Sequence, residues 1–367
     1  MQSLEQALKR IVYRVIAKLL SPPPVSPAHI PVESFRRILI VRQHDQLGDL
    51  LIATPAIRAL RMRFPKAHLA IVVREYTAPM MKNNPNVDEV IVFYERLQRW
   101  NLHRVKTFLR AVRANGGYDC AIVLNTVSRS LSSDMIALLS KAKYIVGSDH
   151  LRHDPFSTER IYSVIAHRSP EQKTEIERNL DIVRALGADE TNFEYDLIPT
   201  SEERSKAENI VLSLRLPKGK LNAGMHFGAL DPTRCFPLHK LAQVIDLMIE
   251  RFGMNIILIT GPNEIERRAF LLDHVHYKVF SAPVMPLRVM AAFVNHLQLF
   301  LCNDTGTLHI AASQKVPTVS FHAMNDPAIW KPPHPRHIAV RADDALITSI
   351  SIEQVMDAIE RAIAGRK

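Results

Sequence analysis

The sequence has few cysteines and no long apolar run. Its 367 residues include three cysteines, Cys120, Cys235 and Cys302. These are too few and too far apart for a disulfide framework or a zinc site, so we expect a reducing compartment. No stretch approaches the ~20 uninterrupted apolar residues that cross a bilayer, and no spanning helix is expected. With 47% hydrophobic residues, the chain can still bury real cores, and its length predicts two domains.

Acidic residues are scarce in two segments, and this accounts for most of the net charge of +10. Residues 1–24 carry a charge of +3, and residues 96–115 carry +6 because they contain no acid. The rest of the chain is nearly neutral. General nucleic-acid binders spread basic residues over much of their surface, so we expect no nucleic-acid partner and instead a local contact with an anionic partner.

The first basic segment has the pattern of an amphipathic helix. Apolar residues recur at helical spacing over residues 4–20, while Arg10, Arg14 and Lys18 form a row on another side. A Pro-rich stretch at residues 22–31 then predicts a semi-rigid linker. The helix either lies on an anionic membrane surface or packs on its own protein.

The second basic segment contains a run of residues that we call the basic stripe. Its members recur every three or four positions, which aligns them on one face if the segment is helical throughout: Arg96, Arg99, His103, Lys106, Arg110 and Arg113. The residues that would face inward are Leu102, Val105, Leu109 and Val112. The stripe is either a solvated helix face or a contact surface for a membrane or an acceptor, with Arg99, Lys106, Arg110 and Arg113 as its candidates. Solvated faces usually mix both signs, and this one does not.

From residue 36 onward, short β-rich runs alternate with helical patterns. The first series predicts strands at residues 38–42, 69–73, 90–93, 120–124 and 144–147, with helices at 50–64 and 134–141. The second predicts strands at 221–227, 256–260, 278–281, 299–302 and 318–321, with helices at 239–251, 264–274, 286–295 and 308–313. Near-continuous Ile, Val and Leu runs suit parallel sheets that are buried on both faces.

We therefore predict an α/β protein with two doubly wound domains. They cover residues 36–195 and 196–367, and the last helix is a candidate for packing back on the first domain. In such folds, ligands bind beyond the carboxyl ends of the strands. The expected site is the cleft between the two domains.

The turn after the first predicted strand contains a candidate carboxylate, Asp49. It follows Gly48 and precedes a helix predicted to begin at Leu50. An Asp at this place either caps the helix or acts as a carboxylate base. The turn lacks the G-x-G-x-x-G pattern, so a dinucleotide site is not supported.

A polar turn follows the predicted strand that ends at Cys302. Asp304, Thr305 and Gly306 lie in this turn, where exposed N–H groups and the positive end of a helix suit a phosphate. His309 lies one helical turn further on. It either reaches the same ligand or faces the core.

Two other turns each place a charged residue after a predicted strand. Arg234, in the segment after Phe227, offers a permanent cation with forked donors for a diphosphate. Glu264 follows the strand predicted at residues 256–260, where a carboxylate could bind a ribose diol.

Taken together, these segments resemble glycosyltransferase family 9, the lipopolysaccharide heptosyltransferases. The resemblance is carried by L-G-D-x-L-x-x-T-P-A-I-R-A-L from Leu47, R-x-F-P from Arg234, T-G-P-x-E from Thr260 and N-D-T-G-T-x-H-I-A-A from Asn303. It covers residues 36–345. The first and last of these motifs are long and specific, whereas the middle two are not.

The resemblance implies a GT-B fold, with two Rossmann-like domains that face a cleft, and heptose transfer from ADP-heptose to the lipopolysaccharide inner core. It implies that Asp49 is the catalytic base and that Arg234, Thr305 and Gly306 bind the donor diphosphate. Asp304, His309, Glu264 and Met285 are then expected to bind the sugar and nucleotide of the donor. The acceptor is expected on the first domain, as a lipid A-Kdo type oligosaccharide.

The chain also departs from the family pattern. Arg234 and Phe236 stand where the family usually has Lys and Trp, and Ala229 and Leu230 stand where it has hydroxyl residues. No D-x-D motif occurs, so we expect no metal and no cofactor. A sugar-nucleotide epimerase and a catalytically degenerate nucleotide-sugar-binding protein remain as alternatives. The expected location is the cytoplasm, peripheral on the inner membrane.

Overall fold

The structure, a computed structural model, describes residues 21–114, 116–127, 130–149, 161–167, 169 and 171–365. The amphipathic helix predicted near the N-terminus lies outside these residues. The chain divides into two compact units between Phe193 and Glu194. Each unit contains its own six-stranded sheet.

The first unit alternates strands and helices. Its strands are β1 (Arg37–Val41), β2 (His68–Arg74), β3 (Glu89–Phe93), β4 (Cys120–Val123), β5 (Tyr144–Ser148) and β6 (Val164–Ala166). Its helices are α1 (Leu47–Ile52), α2 (Thr54–Arg63), α3 (Leu102–Arg113), α4 (Leu131–Leu139) and α5 (Glu175–Arg184). In β1, four consecutive apolar residues from Ile38 to Val41 are fully buried, as expected for a parallel strand covered on both faces.

The second unit repeats this plan. Its strands are β7 (Asn222–His226), β8 (Asn255–Leu258), β9 (Phe280–Ser281), β10 (Leu299–Asn303), β11 (Thr318–His322) and β12 (His337–Arg341). Its helices are α6 (Ser201–Ser213), α7 (Leu238–Phe252), α8 (Ile265–His274), α9 (Leu287–Val294), α10 (Gly306–Ser313), α11 (Pro327–Trp330) and α12 (Ile352–Ala364). Successive residues of β10 enter different apolar clusters, Phe300 in one and Leu301 in the other, so both faces of this sheet are covered.

The two sheets have the same strand order. It is β3-β2-β1-β4-β5-β6 in the first unit and β9-β8-β7-β10-β11-β12 in the second, and the strand pairs are parallel. In both units the direction of winding reverses beside the first strand. Doubly wound sheets bind ligands at this switch point, beyond the carboxyl ends of the two central strands. The prediction of an α/β protein with two doubly wound sheets is confirmed.

The helix predicted at residues 50–64 is wrong at its start and in its continuity. It begins at Leu47, so Gly48 and Asp49 lie inside its first turn and do not precede it. The start moves because the Asp49 side chain accepts a hydrogen bond from the backbone N–H of Gln46, which satisfies a helix donor that has no partner within the helix. The helix is then interrupted at Ala53, and Pro55 lies in the first turn of the next helix, where its missing N–H costs no helical hydrogen bond.

Several elements were not predicted from the sequence. They are the outer strands β6 and β12 and the helices α5, α6, α11 and α12. Strand β6 has only three residues, too few for a clear period-two pattern. Helix α12 packs in the second unit, where Val355, Ala358 and Ile359 join the apolar cluster that contains Met225 of β7.

Cys120, Cys235 and Cys302 are free thiols, and all three are buried. Across the described part of the chain, no helix has both the length and the apolar character needed to cross a membrane.

The packing of α12 predicts the effect of a core substitution. Ile359 has no exposed surface, so we expect Ile359→Ala to lower the free energy of unfolding by about 2–5 kcal/mol through lost burial and a residual cavity. Urea denaturation followed by circular dichroism measures this change. The control is Glu360→Ala, at the next and exposed position of the same helix. Equal effects of the two substitutions would contradict the packing described here.

Candidate functional site

Asp49 lies just beyond the carboxyl end of β1, in the first turn of α1. Its Oδ2 accepts a hydrogen bond from the backbone N–H of Gln46 at 3.1 Å, and its backbone carbonyl accepts one from Arg42 Nη2 at 3.2 Å. The side chain is half-buried. The structure therefore gives Asp49 the capping role that the sequence suggested. Capping engages one carboxylate oxygen and does not by itself exclude a role as a base.

A buried ion pair lies beside Asp49. Arg42 and Asp45 pair through the guanidinium Nε and a carboxylate oxygen, and both side chains are almost fully buried. Burial raises the pKa of Asp45 to about 8; Arg42 opposes this rise, and the charges of Asp49 and Glu175 add to it. The Arg42–Asp45 pair thus balances the attraction of the guanidinium against the cost of burying the carboxylate.

Glu175 brings a second buried carboxyl to the same cluster from the start of α5. Its Oε1 accepts a hydrogen bond from the Thr126 hydroxyl, and its Oε2 accepts one from Arg178 Nη1 at 3.2 Å. Only 1% of Glu175 is exposed. Burial raises its pKa to about 7; Arg42 and Arg178 lower it, and Asp49 raises it further. The cluster therefore contains two carboxyls whose pKa values are raised by burial toward neutral pH.

A cavity of about 490 Å³ is lined by residues that follow β2 and β3. The lining consists of Glu75, Tyr76, Glu95, Arg96 and Arg99. Arg99 Nη2 lies 3.1 Å from Glu75 Oε1, and Tyr76 is about half exposed, at 53%. An aromatic face, carboxylates for hydroxyl groups and guanidinium groups for an anion thus meet in one concave site. This combination suits a sugar with a negatively charged substituent.

The basic stripe is not one continuous helical face. Arg99 ends a short 3-10 helix, and α3 begins only at Leu102, with the Asn101 side chain capping its N-terminus. The break is stabilised by Trp100, whose Nε1 donates to the carbonyl of Tyr94 at 2.6 Å. Within the stripe, Lys106, Arg110 and Arg113 are exposed on α3, and Arg96 and Arg99 are exposed before it.

Two of the residues predicted to face inward are in fact exposed. Leu102 is 72% exposed and Val105 is 36% exposed, and the nearby Leu97 is 88% exposed. The prediction is confirmed for Val112, which is buried together with Phe108. Leu102 and Val105 lie in the first turn of the helix. Exposed apolar side chains thus lie along the same segment as the exposed cations.

In the second unit, Arg234 and Asp304 form an ion pair between the turns that follow β7 and β10. Arg234 Nη2 donates to Asp304 Oδ2 at 2.6 Å and to its backbone carbonyl at 2.7 Å. Asn325 Nδ2 donates to the same carboxylate oxygen at 2.7 Å. Burial alone would raise the pKa of Asp304, but His322, Asn325, His309 and Arg234 together hold it below its ordinary value. The expected phosphate cation and the expected donor-site acid are therefore in direct contact.

Thr305 and Gly306 lie at the N-terminus of α10. Thr305 is the N-cap residue and Gly306 is the first helical residue. The Thr305 hydroxyl lies 2.9 Å from the Thr307 hydroxyl, which in turn lies 3.3 Å from His226 Nδ1. The helix terminus offers backbone N–H groups and a partial positive charge, which suit an anion.

Glu264 lies immediately before α8, against the turn that follows β7. Its Oε2 accepts a hydrogen bond from the Gly261 N–H at 2.7 Å and lies 3.5 Å from His226 Nε2. A Cβ atom at Gly228 would come within 1.5 Å of Glu264 Oε1, so the carboxylate occupies the space that a side chain at 228 would fill. The absence of a side chain at Gly228 thus allows Glu264 to reach its present position.

The remaining two predicted donor residues are His309 and Met285. His309 is 4% exposed, and its Nδ1 lies 3.4 Å from the Tyr195 hydroxyl. Met285 is half-buried and packs against the apolar cluster around Val289 and Phe293. Phe236, where the family usually has Trp, is buried and stacks on Phe321 at 4.4 Å between ring centroids. Phe236 therefore contributes to the core of the second unit.

Several of these residues were not predicted from the sequence. His226 and Tyr76 each lie at or just beyond the carboxyl end of a predicted strand, and this position was the signal that could have identified them. Glu175 gives no such signal, since the fold brings it to Asp49 from a distant part of the chain. Among the described residues, no three His, Cys, Asp or Glu side chains are grouped to hold a metal ion.

The chain is similar in sequence to known glycosyltransferases. The model of glycosyltransferase family 9 (heptosyltransferase) matches residues 105–359. Lipopolysaccharide heptosyltransferase 3 of Escherichia coli strain K12 is 25% identical over 300 residues, which is 78% of this chain and 82% of the relative.

Solved structures agree with the fold. A glycosyl transferase family 9 structure from Veillonella parvula has a TM-score of 0.76 at 23% identity and covers 90% of this chain and 97% of its own. An E. coli heptosyltransferase in complex with ADP has a TM-score of 0.70 at 21% identity, with 89% and 99% covered.

The pKa of Glu175 predicts how stability changes with pH. The carboxyl has an ordinary pKa of 4.5 and a pKa of about 7 in the folded protein. The neutral carboxyl therefore makes its full contribution to the free energy of unfolding below about pH 4.5. This contribution is lost as the pH rises through about 7. The loss is roughly 3 kcal/mol, at about 1.4 kcal/mol for each pKa unit.

We expect Glu175→Gln to reduce this loss, because the amide keeps the neutral form at every pH. Urea denaturation at pH values of about 4.5 and 8 measures the difference, and Glu171→Gln, at an exposed position, is the control. An unchanged pH dependence in Glu175→Gln would show that this carboxyl does not titrate as described.

Proposed function

Because the chain belongs to glycosyltransferase family 9, we propose that it transfers a heptose from ADP-heptose to the inner core of lipopolysaccharide, with inversion at the anomeric carbon. The chain is thus a glycosyltransferase, and its two parallel six-stranded sheets are those of the GT-B fold. The observation that carries the proposal is the position of Asp49, at the switch point of the first sheet and beside the buried charged cluster. Membership of this family does not favour the epimerase or the non-catalytic binding protein.

The proposed reaction is a single in-line displacement. Asp49 accepts the proton of an acceptor hydroxyl, and the acceptor oxygen attacks C1 of the heptose. The bond from C1 to the diphosphate oxygen breaks, and ADP leaves with the electron pair. Inversion requires one base on the face opposite the leaving group and no covalent intermediate, as in inverting glycosidases. A carboxylate is a weak base, so its positioning supplies much of the effect.

The donor is proposed to bind to the second unit. Arg234 and the N–H groups at the start of α10 would stabilise charge that develops on the diphosphate, with Thr305 and Gly306 adjoining it. A guanidinium has five N–H donors, so Arg234 can contact Asp304 and still donate to a phosphate. Glu264 is proposed to bind the ribose and Met285 the adenine, with Asp304 and His309 close to the sugar.

The acceptor is proposed to bind to the first unit, at the cavity that contains Tyr76. Its paired carboxylates and guanidinium groups suit a lipid A-Kdo type oligosaccharide, which carries both hydroxyl groups and negative charges. We also propose that the enzyme works in the cytoplasm at the surface of the inner membrane and needs no cofactor. Exposed cations beside exposed Leu97, Leu102 and Val105 support this location, because interfacial segments combine basic and apolar residues.

The role of Asp49 is tested by Asp49→Asn. The amide still offers an oxygen to the Gln46 N–H, so the helix cap is kept while the base is lost. We expect the transfer rate from ADP-heptose to a purified core acceptor to fall by about 10²–10⁴-fold, with ADP affinity nearly unchanged. Asp49→Ala is the companion variant, which also loses the cap and about 1 kcal/mol of stability. Substantial turnover by a folded Asp49→Asn protein would contradict the assignment.

The membrane contact is tested by replacing Arg99, Lys106, Arg110 and Arg113 together with Gln. Each cation near an anionic membrane contributes about 1 kcal/mol, so we expect binding to phosphatidylglycerol vesicles to weaken by at least tenfold in sedimentation assays. ADP affinity should not change. The control replaces four other exposed lysines with Gln and changes the net charge equally: Lys66, Lys218, Lys220 and Lys315. Equal losses in both proteins would show that only net charge matters.

A further inference from the structure

A chain of four polar side chains leads from α8 to the start of α10. Glu264 Oε2 lies 3.5 Å from His226 Nε2, and His226 Nδ1 lies 3.3 Å from the Thr307 hydroxyl. The Thr307 hydroxyl lies 2.9 Å from that of Thr305. The chain thus connects a largely buried imidazole to a hydroxyl beside the helix terminus where the donor diphosphate is proposed to bind.

With a neutral His226, the hydroxyl protons point inward. The Glu264 carboxylate can only accept, so the proton of the imidazole lies on Nε2 and Nδ1 is an acceptor. Thr307 then donates its only hydroxyl proton to Nδ1. Thr305 donates either to the Thr307 oxygen or to the backbone carbonyl of Asn303, 3.4 Å away. In neither case does the Thr305 hydroxyl donate to a ligand.

Protonation of His226 reverses the direction of the hydrogen bonds between these side chains. Nδ1 then carries a proton and donates it to the Thr307 oxygen, which releases the Thr307 proton to point toward Thr305. Once the Thr305 oxygen accepts this bond, its own proton is available to a group outside the chain. One proton on His226 therefore converts Thr305 into a donor for a phosphate oxygen, with no other change in covalent structure.

The surroundings of His226 keep it neutral until an anion arrives. Burial lowers its pKa; Glu264 opposes this effect and Arg267 adds to it. On the neighbouring strand β10, the partner of His226 is Cys302, whose buried thiol has its pKa raised by burial and so stays neutral. A diphosphate oxygen at the start of α10 would accept the Thr305 proton, and this hydrogen bond is available only when His226 is protonated, so ligand binding favours the imidazolium.

We propose that binding of a nucleoside diphosphate at the start of α10 is linked to the uptake of one proton by His226. The reoriented hydrogen bonds of Thr307 and Thr305 connect this protonation to the ligand. This inference rests on the proposed function, because it takes the diphosphate of the donor as the ligand. His226 is then a positioning residue that acts through Thr305, and it does not touch the substrate.

The test is isothermal titration calorimetry with ADP between about pH 5.5 and 8, in buffers that differ in ionisation enthalpy. In the wild-type protein we expect net uptake of up to one proton per ADP and, above the pKa of free His226, an affinity that falls by up to about tenfold per pH unit. In His226→Asn both effects should be lost, because the amide does not titrate. Ionisation of ADP itself is the same in both proteins and cancels in the comparison.

A matched pair of variants tests the relay with the imidazole in place. Thr307→Ser keeps the hydroxyl and should keep proton uptake, whereas Thr307→Val removes the hydroxyl and should lose it. His239→Asn, at an exposed position of α7, controls for the loss of a histidine as such and should behave as wild type. If His226→Asn does not fold, the two Thr307 variants decide the question alone.

Equal proton uptake in the wild-type, His226→Asn and Thr307→Val proteins would overturn this inference and leave the proposed donor intact. Absence of any ADP binding by the wild-type protein would overturn the proposed donor as well. Uptake that persists in Thr307→Val but disappears in His226→Asn would also contradict the relay, because it would make His226 act directly.

Discussion

The parallel arrangement of strands is the constraint on which the candidate site depends. A parallel strand pair needs a crossover, and right-handed crossovers place successive helices on both faces of the sheet. The carboxyl ends of all strands then lie at the same edge of the sheet. The order of the strands reverses direction once, beside the first strand. In the first unit this reversal brings Gln43, which follows β1, to Ser132, which follows β4. In the second it brings Arg234 and Asp304 together, although 70 residues separate them in the sequence.

The two units stabilise their buried acids in opposite ways. In the first, burial outweighs the nearby guanidinium groups and raises the pKa of Asp45 and of Glu175. In the second, Asp304 is held in its charged form by its partners. In the second unit, this arrangement keeps Arg234 beside the proposed site of the anionic donor.

Much of the fold follows from the sequence, since long Ile, Val and Leu runs reveal buried parallel strands. The central strands β1, β4, β7 and β10 were predicted within a residue or two. The outer strands β6 and β12 and the helix α12 were not, because their stability comes from packing on elements far along the chain. The start of α1 was missed for a different reason: Asp49 is both a cap and a candidate base, and its cap shifts the boundary of the helix.

The site was predictable where a motif places polar residues after a strand, as for Asp304, Thr305 and Gly306. It was not predictable where the fold brings in a partner from elsewhere. Glu175 reaches Asp49 only because α5 begins beside the first sheet, and His226 gains its role only from Glu264 on one side and Thr307 on the other. The prediction of a continuous basic stripe was wrong because Trp100 donates a hydrogen bond to the carbonyl of Tyr94 and interrupts the helix. The spacing of the charges does not reveal this interruption.

The close approach of Glu264 to Gly228 links the evolution of two positions that lie 36 residues apart in the sequence. Any side chain at 228 would need the space that the carboxylate now fills, so a larger residue there is compatible only with a shorter or differently placed residue at 264. A side chain at 228 would displace the Glu264 carboxylate, which would then lose its hydrogen bond from the Gly261 N–H and its contact with His226.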